Sequence, residues 1–131
     1  MSKVPLVDNE GARLDFGLKI GATFYKRLIY RGPRKADGSK GDPIDLTGYT
    51  PIMQIRATPS AEDVLLDVSP YVALGGALGT ITITIPEDVT RAIDWESGSY
   101  DLFLKSGDSV PDYLCPIQGR FITGERTSRD D

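Results

Sequence analysis

Pro43-Ile44-Asp45-Leu46-Thr47-Gly48-Tyr49-Thr50-Pro51-Ile52-Met53-Gln54-Ile55-Arg56 is a polar turn, centred on Gly48, that opens into an alternating strand. From Tyr49 to Arg56 the apolar residues Met53 and Ile55 share one face. Pro51 falls near the strand's start, where a missing ladder donor is tolerated. This is the pattern of half-buried antiparallel sheet, and the rest of the chain repeats it. Upstream, Leu14-Asp15-Phe16-Gly17-Leu18-Lys19-Ile20 sets Leu14, Phe16, Leu18 and Ile20 on one face against Asp15, Gly17 and Lys19. Gly21-Ala22 breaks that run, and Thr23 to Arg31 resumes with Phe24, Tyr25, Ile29 and Tyr30; between Arg31 and Pro43 the chain is dense in turn formers and reads as an exposed hairpin loop into the opening segment. Downstream, Val64 to Val68 reads as a short strand of ambiguous facing, and Tyr71 to Gly79 as a glycine-rich loop over one end of the domain. Thr80 to Ile85 is built wholly of β-branched residues, stiff at χ1, and predicts Ile81, Ile83 and Ile85 inward.

At Pro86 the period changes. Val89, Ala92 and Ile93 stand at i, i+3 and i+4 behind Pro86, Glu87 and Asp88, residues suited to a helix's first turn, so a helix of one or two turns is expected before Trp95. Tyr100 to Lys105 then alternates again and joins Tyr113 to Ile122 through the hairpin turn Ser106-Gly107-Asp108-Ser109. The expectation is an all-β, antiparallel, Ig-like β-sandwich of about seven strands with one short helix. Its organisation is a weakly patterned N-terminal arm (1–12), the sandwich domain (13–123) and a polar tail (124–131).

Composition sets the outer bounds. The chain has 131 residues, 40% hydrophobic and 26% charged, the size and balance of one globular domain. A net charge of -4 argues against nucleic acid as partner, because neutralising phosphates needs a basic face. The longest apolar run, Tyr71 to Ala77, is interrupted by Gly75 and Gly76 and falls far short of the roughly 20 residues of a bilayer span, so no membrane is expected. Met1-Ser2-Lys3-Val4-Pro5 lacks the apolar centre of a secretory signal, which predicts use without export. A lone Cys115 cannot close an internal disulfide and reads as a small buried hydrophobe.

The patterns of catalysis are sparse. There is no histidine, which removes Ser-His-Asp and Cys-His arrangements and the usual zinc ligand sets. Gly75-Gly76-Ala77-Leu78-Gly79 lacks the Lys-Ser/Thr of a phosphate loop and leads into a strand, so turn geometry accounts for it. Asp37-Gly38-Ser39-Lys40-Gly41-Asp42 carries oxygen ligands, yet its spacing and the central Lys40 fit a solvated turn rather than a calcium loop. Asp94 with Glu96 reads as surface charge rather than a glycosidase pair. Trp95 reads as core at the domain's edge, and the six tyrosines are scattered rather than gathered into a sugar-stacking platform. The expectation is therefore no enzyme, no catalytic or metal-binding residue, no cofactor and no small-molecule substrate. Arg31, Arg34, Lys35 and Lys40 make one loop basic within an acidic chain, which suits an acidic neighbour or simply keeps the loop solvated and blocks edge pairing.

Asp45-Leu46-Thr47-Gly48-Tyr49-Thr50 with Met53-Gln54-Ile55-Arg56, then Gly79 to Pro86, then Gly98-Ser99-Tyr100-Asp101-Leu102, then Gly119-Arg120-Phe121-Ile122 before Thr127, follow one another in an order that resembles a family of small tailed-phage virion structural proteins. The resemblance spans Thr23 to Thr127 and is similar to the Ig-like N-terminal domains of upper-baseplate and tail-fibre proteins. It implies a virion protein, in the host cytoplasm during assembly, present in many copies at the tail, baseplate or fibre attachment. Its partners would be other virion proteins of tail, baseplate, fibre or capsid. With no receptor-binding or coiled-coil extension after the domain, an adaptor or decoration role is favoured over a complete fibre. The alternatives are a capsid decoration protein and, more remotely, a carbohydrate-binding module touching the host surface. Sheet edges and both terminal arms are the expected docking elements. The candidate contact residues are Val4, Pro5 and Leu6 in the arm, Arg31, Arg34, Lys35 and Lys40 in the basic loop, and Arg126 and Arg129 in the tail.

Overall fold

The computed structural model describes residues 11–128. The strands are β1 (Ala12–Arg13), β2 (Phe16–Lys19), β3 (Phe24–Ile29), β4 (Thr50–Arg56), β5 (Leu66–Asp67), β6 (Val72–Leu74), β7 (Thr80–Ile85), β8 (Ser97–Lys105) and β9 (Tyr113–Gly124), with one helix, α1 (Glu87–Arg91). They form two sheets. One runs β1-β9-β8-β4-β5 with β2 also on β9, and the other runs β3-β7-β6. Lettered B, C, C′, D, E, F and G in chain order, β3 to β9 give sheets G-F-C-C′ and B-E-D, the connectivity of an immunoglobulin-like sandwich. The expected fold class is therefore present.

The alternating runs fold as their period dictates. Met53 and Ile55 on β4, Ile81, Ile83 and Ile85 on β7, and Leu102 and Leu104 on β8 are all buried. On β4 the backbone of Met53 and Ile55 faces β5, since Val68 N donates to Met53 O and Leu65 N to Ile55 O. The same side of Pro51 lies beyond the reach of β5, so its missing donor interrupts no ladder. Between the sheets four rings close the core. Phe16, Tyr100 and Phe121 come from one sheet and Phe24 from the other, with centroids 5.1 to 5.6 Å apart. Antibody domains clamp their sheets with a B–F disulfide; here packed rings, each pair contributing about 0.5–1.5 kcal/mol beyond area burial, sit between the layers instead.

Three expectations are corrected. The sandwich is not wholly antiparallel: β1 and β2 both run parallel to β9, pairing Ala12 with Ile117 and Phe16 with Phe121. The strand following Gly21-Ala22 does not form a hairpin with β4 across the 31–43 loop. Instead β3 pairs with β7, and the loop carries the chain from one sheet to the other, closed at its base by an Arg31–Pro43 bridge. Tyr71 to Gly79 is not simply a loop, because Val72–Leu74 is a strand that pairs with β7 and packs half-buried Val72 and Leu74 against the core. Among the described residues the strand count accordingly rises to nine.

The short helix forms where the period change placed it, with Pro86 as its N-cap. Its buried residue is Thr90 rather than Ala92, which is exposed. The Thr90 hydroxyl accepts from Gly21 N at 3.2 Å and lies 2.9 Å from Ala22 O and 3.1 Å from Glu87 O, tying the helix to the turn between β2 and β3. Trp95 is half-buried against the core, and its carbonyl accepts the Thr123 hydroxyl at 2.8 Å.

Candidate functional site

The basic loop between β3 and β4 is organised by its own backbone. Arg31 donates to Gly41 O at 3.0 Å, Arg34 donates to Gly38 O at 2.8 Å, and Lys35 pairs with Asp42 at 3.0 Å. Asp37 accepts both the backbone N–H and the hydroxyl of Ser39, and these bonds hold its carboxyl below the usual carboxylate range. Asp45 does the same with Thr47 at the mouth of the loop, with the same effect on its carboxyl. Three of the loop's four candidate cations are thus engaged within the loop. Lys40 is exposed and, among the described residues, has no ion-pair partner.

The candidate residues do not form one surface. Arg31, Arg34, Lys35 and Lys40 follow the C-terminal end of β3. Arg126 lies beside Gly21 at the opposite end, where a Cβ on Gly21 would stand 3.0 Å from Arg126 Cδ. Six residues of strand separate the two ends, about 20 Å at 3.3 Å per residue. Arg126 Nε donates to Ser128 O. Val4, Pro5, Leu6 and Arg129 lie outside the described residues.

Elsewhere, polar side chains serve joints between strands. Tyr100, on β8, donates its hydroxyl to Leu14 O at 2.7 Å, and burial together with the nearby Asp15 charge pushes that phenol up. Asp15 accepts from Arg120 N at 2.9 Å and pairs with Arg13 at 3.3 Å, bridging the break between β1 and β2. Arg120 reaches across the outer face of the large sheet to the hydroxyls of Ser99 and Ser97. Cys115 sits buried in β9, where burial first and the Asp101 charge second push its thiol up to about 11. Among the described residues no group of three or more His, Cys, Asp and Glu converges as a metal site, and no helix is long and apolar enough to cross a membrane.

One feature escaped the sequence reading. Tyr25 and Ile29 on β3 are 60% and 46% exposed, and Lys26 and Arg27 between them are also exposed, so the strand presents a cationic and apolar rim. The signal was present in the adjacent cations at the middle of an otherwise apolar strand. No protein-family model matches the chain, and no curated protein matches it.

Proposed function

We propose that this protein is a non-enzymatic structural subunit of a tailed-phage virion, carried in many copies at the tail, baseplate or fibre-attachment region and present in the host cytoplasm while particles assemble. One observation carries the reading. The segments that resemble the virion family fall on the turn before β4, on β4, and on β7, β8 and β9, and those strands pack together as the centre of the sandwich. The resemblance thus lies in the elements that build the block rather than in its periphery. The partners are other virion proteins, reached through sheet edges and the surfaces around the two chain ends. Immunogold electron microscopy of purified particles, with antibody raised against the isolated chain, tests the reading. Label at the tail or baseplate is expected. Label confined to the head would transfer the role to capsid decoration, and unlabelled particles would overturn a virion role altogether.

A further inference from the structure

β3 is the longest strand among the described residues with a strand neighbour on one side only. The remaining edges are short or broken: β5 has two residues, β6 three, and the β1–β2 edge is interrupted around Asp15. Tyr30 N donates to Gly79 O at 2.8 Å, which fixes the phase of the ladder to β7. By antiparallel alternation Phe24, Lys26 and Leu28 bond to β7, and the N–H and C=O groups of Tyr25, Arg27 and Ile29 point to the open side. Neither proline nor bulge blunts this edge, and its guard against unwanted pairing falls to the charges of Lys26 and Arg27.

The side chains say what fits there. Arg27 stands on the outer face between Tyr25 and Ile29, a tyrosine, arginine and aliphatic grouping of the kind that anchors interfaces. Lys26 is in phase with the inward Phe24 and Leu28 yet exposed at the rim. Across the ladder they meet Ile83 and Thr82, which carry no charge, and among the described residues neither cation forms an ion pair. Among the described residues, then, two adjacent positive charges at the middle of a strand have no ion-pair partner, in a protein of net charge -4. A second copy pairing β3 against β3 about a two-fold axis would set these cations against themselves, which is unfavourable.

We propose that the open edge of β3 is the docking site for an extended acidic segment of a partner protein. The segment adds as a further strand to the small sheet, with carboxylates opposite Lys26 and Arg27 and apolar side chains covering Tyr25 and Ile29. This rests on the structural-subunit reading only for the source of the segment. The probe is a fluorescein-labelled peptide, Thr-Val-Val-Glu-Glu-Val-Val-Thr, titrated with the full chain and read by fluorescence anisotropy. Saturable binding is expected, weakened at least about tenfold by the K26E/R27E double variant and lost when the two glutamates of the peptide are replaced by lysines. N-methylation of alternate residues along one edge of the peptide should abolish binding while methylation along the other leaves it intact. Amide exchange at Tyr25, Arg27 and Ile29 should slow on binding. No binding at about 1 mM peptide, equal binding by a folded K26E/R27E variant, or indifference to N-methylation on both edges overturns the proposal. Failure here leaves the particle-labelling result untouched, and unlabelled particles would leave peptide binding standing.

Discussion

Replacing Thr90 by Val removes a hydroxyl and keeps the shape. The side chain is fully buried, and its oxygen accepts from Gly21 N while its single hydrogen serves either Ala22 O or Glu87 O, at 2.9 and 3.1 Å. Thr90→Val therefore removes one acceptor and one donor and strands the amide of Gly21. At about 1 kcal/mol net per bond, with the penalty for an orphaned buried group, the loss is about 2 kcal/mol within a range of about 1–3. Unfolding entropy of about 2.1 cal/mol/K per residue converts this, for 131 residues, into a Tm lowered by about 7 °C. Thr90→Ser keeps the hydroxyl and deletes one buried methyl, costing about 1 kcal/mol. Urea denaturation of both variants followed by circular dichroism gives the order, and amide exchange at Gly21 should quicken in Thr90→Val alone. A Val variant within about 0.5 kcal/mol of the parent, or a Ser variant less stable than the Val variant, would falsify the assignment of the joint to the hydroxyl.

Further outcomes follow from single contacts. Gly119→Ala would place a Cβ 2.1 Å from Leu14 O and 2.8 Å from an Asp15 carboxylate oxygen, so a loss of about 2 kcal/mol or more is expected in chemical denaturation, with β1 and β2 the first strands to exchange their amides. Cys115, at about 11, should alkylate with iodoacetamide at pH 8 about a hundredfold more slowly in the native state than after unfolding, from thiolate fraction alone. Because its folded value is raised, the stability linked to this thiol is complete below its unfolded value and falls as pH rises through the alkaline range toward about 11. Asp37 and Asp45 should titrate by carboxyl NMR below the ordinary value of 3.8. Their lowered values mean that whatever they contribute to the loop is present above that pH and is lost as acid is added through the lowered midpoints.

Hydrophobic period reports which face a strand buries, and Met53, Ile55, Ile81, Ile83 and Ile85 were legible for that reason. It does not report the neighbour. Phe16 pairs with Phe121 across the length of the chain, and nothing local distinguishes a parallel from an antiparallel contact there. The passage from β3 to β4 looked like a hairpin because consecutive strands usually pair; this one crosses between sheets, and only the opposing β7 reveals it. Val72–Leu74 was obscured by the glycines beside it, since a three-residue strand carries too little alternation to be seen. Among the candidate contact residues, the clustering of Arg31, Arg34, Lys35 and Lys40 followed from their adjacency in sequence. Their engagement was hidden because two of the three acceptors, Gly41 O and Gly38 O, are backbone carbonyls that composition cannot reveal.

The parallel seam between β2 and β9 also sets how the domain bears load. Gly11 lies against Cys115 and Pro116 near the start of β9, whereas Gly124 closes the far end of the same strand. Tension applied through Gly11 and Gly124 would draw β2 and β9 past one another along their length. The hydrogen bonds from Phe16 to Lys19 would then resist together in shear, rather than opening one after another as a zipper does. A block tethered in this way resists tension along the direction of β9 through all of those bonds at once.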